Sequence, residues 1–188
     1  MFTKQIDKIA RAIAPYGSSD TDMELYIYSL NYLLSFLFTN SIILLISYFL
    51  GNFTITVIWL ICYVSLRSQI GGYHAKSTFT CTLLSILFCV LAPYCYKLLA
   101  LYPYFSFIII AICFGTVLLI CPVEHANHPL NQAQKATSQK HALILLFAGS
   151  VLELFLYPFQ PNISYSIISG HFFAVILCII GYINYNND

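Results

Sequence analysis

The sequence predicts an all-α membrane protein with about six transmembrane helices, an N-terminal interfacial amphipathic helix, and a re-entrant or broken segment around residues 67–80. Three observations carry this prediction. Hydrophobic residues fill 60% of the 188 positions, charged residues only 8%, and the mean hydropathy is +0.80. A soluble domain usually needs about 25% charged residues to solvate its surface, so lipid must be the solvent for most of this one. The apolar residues also fall into runs near span length, separated by Pro, Gly and polar punctuation. The net charge of +1 provides no field for steering nucleic acid, which excludes that class of partner.

The first 16 residues carry Phe2, Ile6, Ile9 and Ile13 at helical spacing, with Lys4, Gln5, Lys8 and Arg11 facing away. That pattern predicts a helix lying in the membrane interface. It contains no continuous apolar stretch, so it does not read as a cleavable signal peptide. Six spans follow, at Tyr28–Leu50, Phe53–Leu66, Thr80–Ala100, Tyr104–Cys121, Ala142–Tyr157 and Ile163–Tyr182. With no internal repeat and no soluble segment, residues 1–188 read as one domain. An N-terminus in the cytoplasm puts Lys4, Lys8, Arg11, Arg67, Lys76, Lys135 and Lys140 inside and Lys97 outside. This agrees with the positive-inside rule for six spans with both ends cytoplasmic.

The second span is the anomaly. Fourteen residues rise about 21 Å as a helix, against roughly 30 Å of hydrocarbon. Arg67 and the residues after it are therefore expected near the membrane edge, where an ionisable group is a functional candidate. Gly71-Gly72 favours a break and a close backbone approach. Ser77 and Thr78 are N-cap candidates for the next span. Cys81 then falls in a first helical turn, where the positive dipole end and Lys76 favour thiolate. His74 and Cys81 share a helical face but lie about 10.5 Å apart along a straight helix. They can form a thiolate–imidazole dyad for acyl transfer only if Ala75–Thr80 folds back. On spacing alone, a loop histidine and a core cysteine are the commoner outcome. The other cysteines, Cys62, Cys89, Cys95, Cys113, Cys121 and Cys178, lie in or beside apolar runs and read as small hydrophobes.

A second polar segment, Cys121 to Leu130, emerges after the fourth span on the same side as His74. Its Glu124, His125 and His128 lack zinc-protease spacing, so no metal is assigned. Orienting His74 through Glu124 or Asn127, holding substrate, or capping the loop all remain open. A GxSxG elbow is absent. Glu153, inside the fifth span, is expected to face other helices and to pair with Arg67 or a backbone amide.

The two segments together resemble the accessory gene regulator B (AgrB) family of Gram-positive quorum-sensing systems. The resemblance rests on Arg67, Gly71-Gly72, His74, Lys76 and Cys81, then on Pro122-Val123-Glu124, Asn127 and Pro129-Leu130, in an arrangement R-x3-GG-x-H-x6-C followed by PVE-x2-N-x-PL. It implies a membrane cysteine endopeptidase in which His74 activates Cys81. The substrate is an AgrD-like propeptide whose C-terminal tail is removed through an acyl-enzyme thioester, after which an internal Cys or Ser closes a thiolactone or lactone. Arg67, Gly71, Gly72, Lys76, Ser77, Glu124 and Asn127 would bind substrate or support the site. The resemblance also implies a homodimer in the cell membrane, with the site at the cytoplasmic side and no cofactor. Relatives often carry a Lys-rich loop after Pro-Leu. Here the loop from Asn131 to Lys140 has only Lys135 and Lys140, which leaves Arg67 and Lys76 as the nearer partners for an acidic tail.

The reading from a different class is a small membrane transporter or exporter of a peptide, with Arg67, Glu124 and Glu153 lining a path. Against it, the polar residues gather at one face rather than at the midplane, and no inverted repeat is visible. A non-catalytic scaffold would give no reason for Gly-Gly-x-His.

Overall fold

The computed structural model describes residues 20–72, 78–123 and 130–187. Within them are six helices and no strand: α1 (Asp20–Phe49), α2 (Phe53–Ile70), α3 (Thr78–Leu101), α4 (Tyr104–Leu119), α5 (Gln132–Leu156) and α6 (Pro161–Asn187). Five are long and apolar enough to cross a membrane. The sixth, α4, is a shorter apolar helix of 16 residues, rising about 24 Å. The chain is thus a multi-pass helical membrane protein. The N-terminal amphipathic helix expected over residues 1–16 lies outside the described residues.

The helices begin and end where capping chemistry and glycine dictate, and these points differ from the ends of the apolar runs. The second helix does not stop at Leu66 but continues to Ile70. Nothing in Arg67-Ser-Gln-Ile forbids helix, and Ile70 is fully buried. The break therefore begins at Gly71 and Gly72, both at positive φ. With 18 residues, α2 rises about 27 Å and nearly spans the hydrocarbon. The fifth helix starts at Gln132, ten residues before Ala142. Asn131 accepts a hydrogen bond from the Gln134 N–H while the Gln134 side chain accepts from the Asn131 N–H, closing a capping box. The stretch from Asn131 to Lys140, expected as a loop, is the polar start of α5.

Helix α6 is the centre. Of its span, 67% is buried, against 12–22% for the other four long helices, and it packs on α2, α3, α4 and α5. Its sequence explains the position. Ser164, Ser166, Ser169, Gly170 and Ala174 are buried small residues, and small residues let membrane helices approach closely. The Ser166 hydroxyl donates to the Ile55 carbonyl at 2.7 Å, and the Ser164 hydroxyl to the Glu153 carbonyl at 3.0 Å. Lower in the bundle, Trp59 stacks on Tyr63 at 5.0 Å, and Phe88 lies 4.9 Å from Phe173.

Gly170 faces the backbone of α2, and an added Cβ would come within 2.7 Å of the Trp59 carbonyl oxygen. Gly170→Val should therefore prise α2 from α6 and destabilise the bundle by about 1–3 kcal/mol. Trp59, the chain's one tryptophan, lies at this contact and reports it. The expected result is an earlier unfolding transition in detergent followed by Trp59 fluorescence, and an unchanged transition would contradict the packing.

Candidate active site

Helix α2 ends because Gly71 takes φ 67, ψ −151, a combination essentially reserved for glycine. At that point the chain meets a segment 52 positions later. Gly71 and Val123 form a parallel bridge, and the Val123 N–H donates to the Ile70 carbonyl at 2.9 Å. A Cβ on Gly71 would run into the Val123 carbonyl oxygen. The two polar segments singled out in the sequence are therefore joined, backbone to backbone, at one end of the bundle.

Gly72 is wedged as tightly. At φ +120, its absent Cβ would lie 2.6 Å from Nη1 of Arg67 and 2.7 Å from both the Cys178 Cα and the Leu177 carbonyl. The guanidinium of Arg67 therefore lies over the Gly-Gly turn, in the last turn of α2. Beneath the turn, Cys178 on α6 and Cys121 after α4 bring their sulfurs to 3.0 Å, and the Cys178 thiol lies 3.7 Å from the Ile70 carbonyl. The far side of the joint is tied by Gln139. Its Nε2 donates to the Val117 and Leu118 carbonyls at 2.9 and 3.1 Å, satisfying two of the acceptors that the end of α4 leaves open.

Cys81 is the fourth residue of α3, in the turn where backbone N–H groups have no helical acceptor and the dipole end is positive. Because Thr78–Thr80 are already helical, any fold-back toward Cys81 is confined to residues before Thr78. His74, Lys76, Ser77, Glu124 and Asn127 lie outside the described residues. Of the expected supporting residues, the structure brings together Arg67, Gly71 and Gly72.

Glu153 is 2% exposed and does face other helices, but it is not Arg67's partner. Glu153 lies beside Ser164, whereas Arg67 lies beside Gly72 and hence Cys178. Fourteen residues of α6, about 21 Å, separate the two levels. Glu153 instead lines a water-sized cavity of about 10 Å³ with Ser150 and His171 among apolar neighbours. The imidazole of His171 occupies the space that Gly149 leaves empty. Neither Cys178 nor Gln139 carries a sequence signal that marks it as a neighbour of the site. One reads as a core cysteine, the other as a loop amide.

Comparison with known proteins bears on the same segments. The family described as Accessory gene regulator B matches residues 6–180. A "Putative AgrB-like protein" of Clostridium acetobutylicum is 33% identical over 109 residues, covering 56% of this chain and 51% of that protein. The match thus spans about half the length of that curated relative. No solved structure matches.

Proposed function

The chain belongs to the accessory gene regulator B family, and from that premise we propose that it is a membrane cysteine endopeptidase removing the C-terminal tail of an AgrD-like signalling propeptide. Family membership supports a role in the agr quorum-sensing system. The observation that carries the catalytic reading is the Gly71–Val123 bridge, which joins both motif segments at the end of the bundle where α3, with Cys81 in its first turn, begins.

In this reading His74 takes the thiol proton of Cys81, and the thiolate adds to the carbonyl carbon before the tail. Collapse of the tetrahedral intermediate breaks the C–N bond. The imidazolium returns its proton to the departing amine, and the propeptide is left as a thioester on Cys81. An internal thiol or hydroxyl of the propeptide then attacks the thioester carbonyl, expelling the Cys81 thiolate and closing the ring. Thioester-to-thiolactone exchange is nearly balanced, so the step requires no nucleotide or metal. Water must be kept out, because hydrolysis would yield a linear product. Glu124 or Asn127 would orient His74, and Arg67, Lys76 and Ser77 would hold the substrate. The positive-inside pattern puts this end of the bundle in the cytoplasm, with Lys97 in the opposite half of α3, 16 residues beyond Cys81. A second copy of the chain completes the expected assembly.

The direct test is mass spectrometry of the detergent-solubilised protein mixed with its propeptide. The expected product is a thioester that joins Cys81 to the propeptide lacking its tail. Tail release with no acyl adduct on Cys81 would sink the proposal. A transporter of the peptide would release no tail at all in detergent, where there is no gradient. The cleavage rate should also follow a bell-shaped pH profile, falling as the imidazole gains a proton or the thiol–imidazole pair loses its working form. A flat profile would contradict a His–Cys mechanism.

A further inference from the structure

Cys62, Cys95, Cys113, Cys121 and Cys178 are free thiols. Of these, Cys121 and Cys178 stand in direct contact, Sγ to Sγ at 3.0 Å, with 7% and 0% exposure. Each belongs to a different part of the bundle, one to the segment after α4 and the other to the central helix α6. They meet beneath the joint: Cys121 is two positions before Val123, and the Cys178 thiol approaches the Ile70 carbonyl that receives the Val123 N–H.

A disulfide bond is about 2.05 Å long, so the two sulfurs stand roughly 1 Å from bonding distance. Two buried cysteines can also be neighbours simply as small hydrophobes. What distinguishes this pair is sulfur–sulfur contact between two elements otherwise joined by packing. We propose that Cys121 and Cys178 form a closable dithiol, a site of reversible two-electron oxidation that covalently fastens the segment after α4 to α6 beneath the Gly71–Val123 joint.

The co-reactant follows from burial. A charged oxidant does not enter such a site, so the acceptor must be neutral and lipid-permeant, of the diazene or quinone class. One thiol, as thiolate, adds to the acceptor. The second thiolate displaces it at sulfur, forming the S–S bond. The two thiols together lose two electrons and two protons, which reduce a diazene to the hydrazine or a quinone to the quinol. A dithiol reductant reverses the step by thiol–disulfide exchange.

The test uses the full chain in detergent carrying Cys81→Ala, so that the proposed nucleophile takes no part and the outcome is independent of the cleavage reading. The protein is treated with the neutral diazene diamide, denatured, alkylated and mapped by mass spectrometry. The expected product is a peptide pair linking Cys121 to Cys178, two hydrogens lighter than its reduced form. It should accumulate at least tenfold above any other cysteine pair and disappear with dithiothreitol. Recovery of Cys121 and Cys178 as alkylated free thiols, whether or not other cysteines have reacted, overturns the proposal. So does a distribution of links among cysteines with no preference for this pair. With Cys121→Ser added, the link should vanish. If Cys178 then links to another cysteine with equal yield, the specific dithiol is refuted.

Discussion

Cys81→Ala will abolish release of the propeptide tail while the protein still accumulates in the membrane. On the proposed mechanism the sulfur is the only group that becomes covalently bonded to substrate. Its removal leaves positioning without a nucleophile, and losses of this kind are on the order of 10⁴-fold or more. Cys81→Ser should fail almost as completely, because an alcohol is ionised far less than a thiol at neutral pH. The check is co-expression with the propeptide, scoring tail release by mass spectrometry and membrane content by immunoblot. Normal processing by the Cys81→Ala protein would remove the cysteine-peptidase reading altogether, whatever happens at His74.

The second large effect is expected at Gly71. Alanine there must hold a backbone conformation that costs about 1–3 kcal/mol. Its Cβ must also displace the Val123 carbonyl, part of the bridge that joins the two motif segments. Gly51 supplies the control. It has nearly the same φ, 71 against 67, but nothing lies within 4 Å of its would-be Cβ. Gly51→Ala should therefore show the backbone cost alone, about 1–2 kcal/mol, with processing retained. Gly71→Ala should lose processing and unfold earlier. Equal behaviour of the two variants would mean that the Gly71–Val123 joint contributes nothing to the site.

The contrast between those glycines also marks what could be read beforehand. The six helices were legible because a membrane-embedded helix declares itself as an apolar run. Gly51-Asn52 and Gly71-Gly72 were legible as breaks because glycine reaches backbone angles that other residues avoid. The ends of the helices were not. Hydropathy reports where lipid is and not where hydrogen bonding stops, so Arg67–Ile70 and Gln132–His141 looked like connecting chain while both are helical. The capping box at Asn131 and Gln134 was a readable signal for the second of these. For the site, the order of residues identified the two segments, but only the fold supplies their contact through Ile70, Gly71 and Val123. Cys178 and Gln139 carry no local signature, since their role arises from elements far away in the chain.

The central position of α6 has a consequence for biogenesis. In chain order this helix follows every helix it touches, and chains emerge N-terminus first. Until it is threaded into the bilayer, α2, α3, α4 and α5 have lipid where their shared partner will stand. Part-buried acceptors such as the Ile55 carbonyl then lack the hydrogen bond that the Ser166 hydroxyl will donate. Assembly of these helices is thus timed by the entry of α6. Ribosome-bound chains stopped short of Ser166 should remain loose sets of separately inserted helices, open to proteolysis, and should tighten abruptly once α6 has entered.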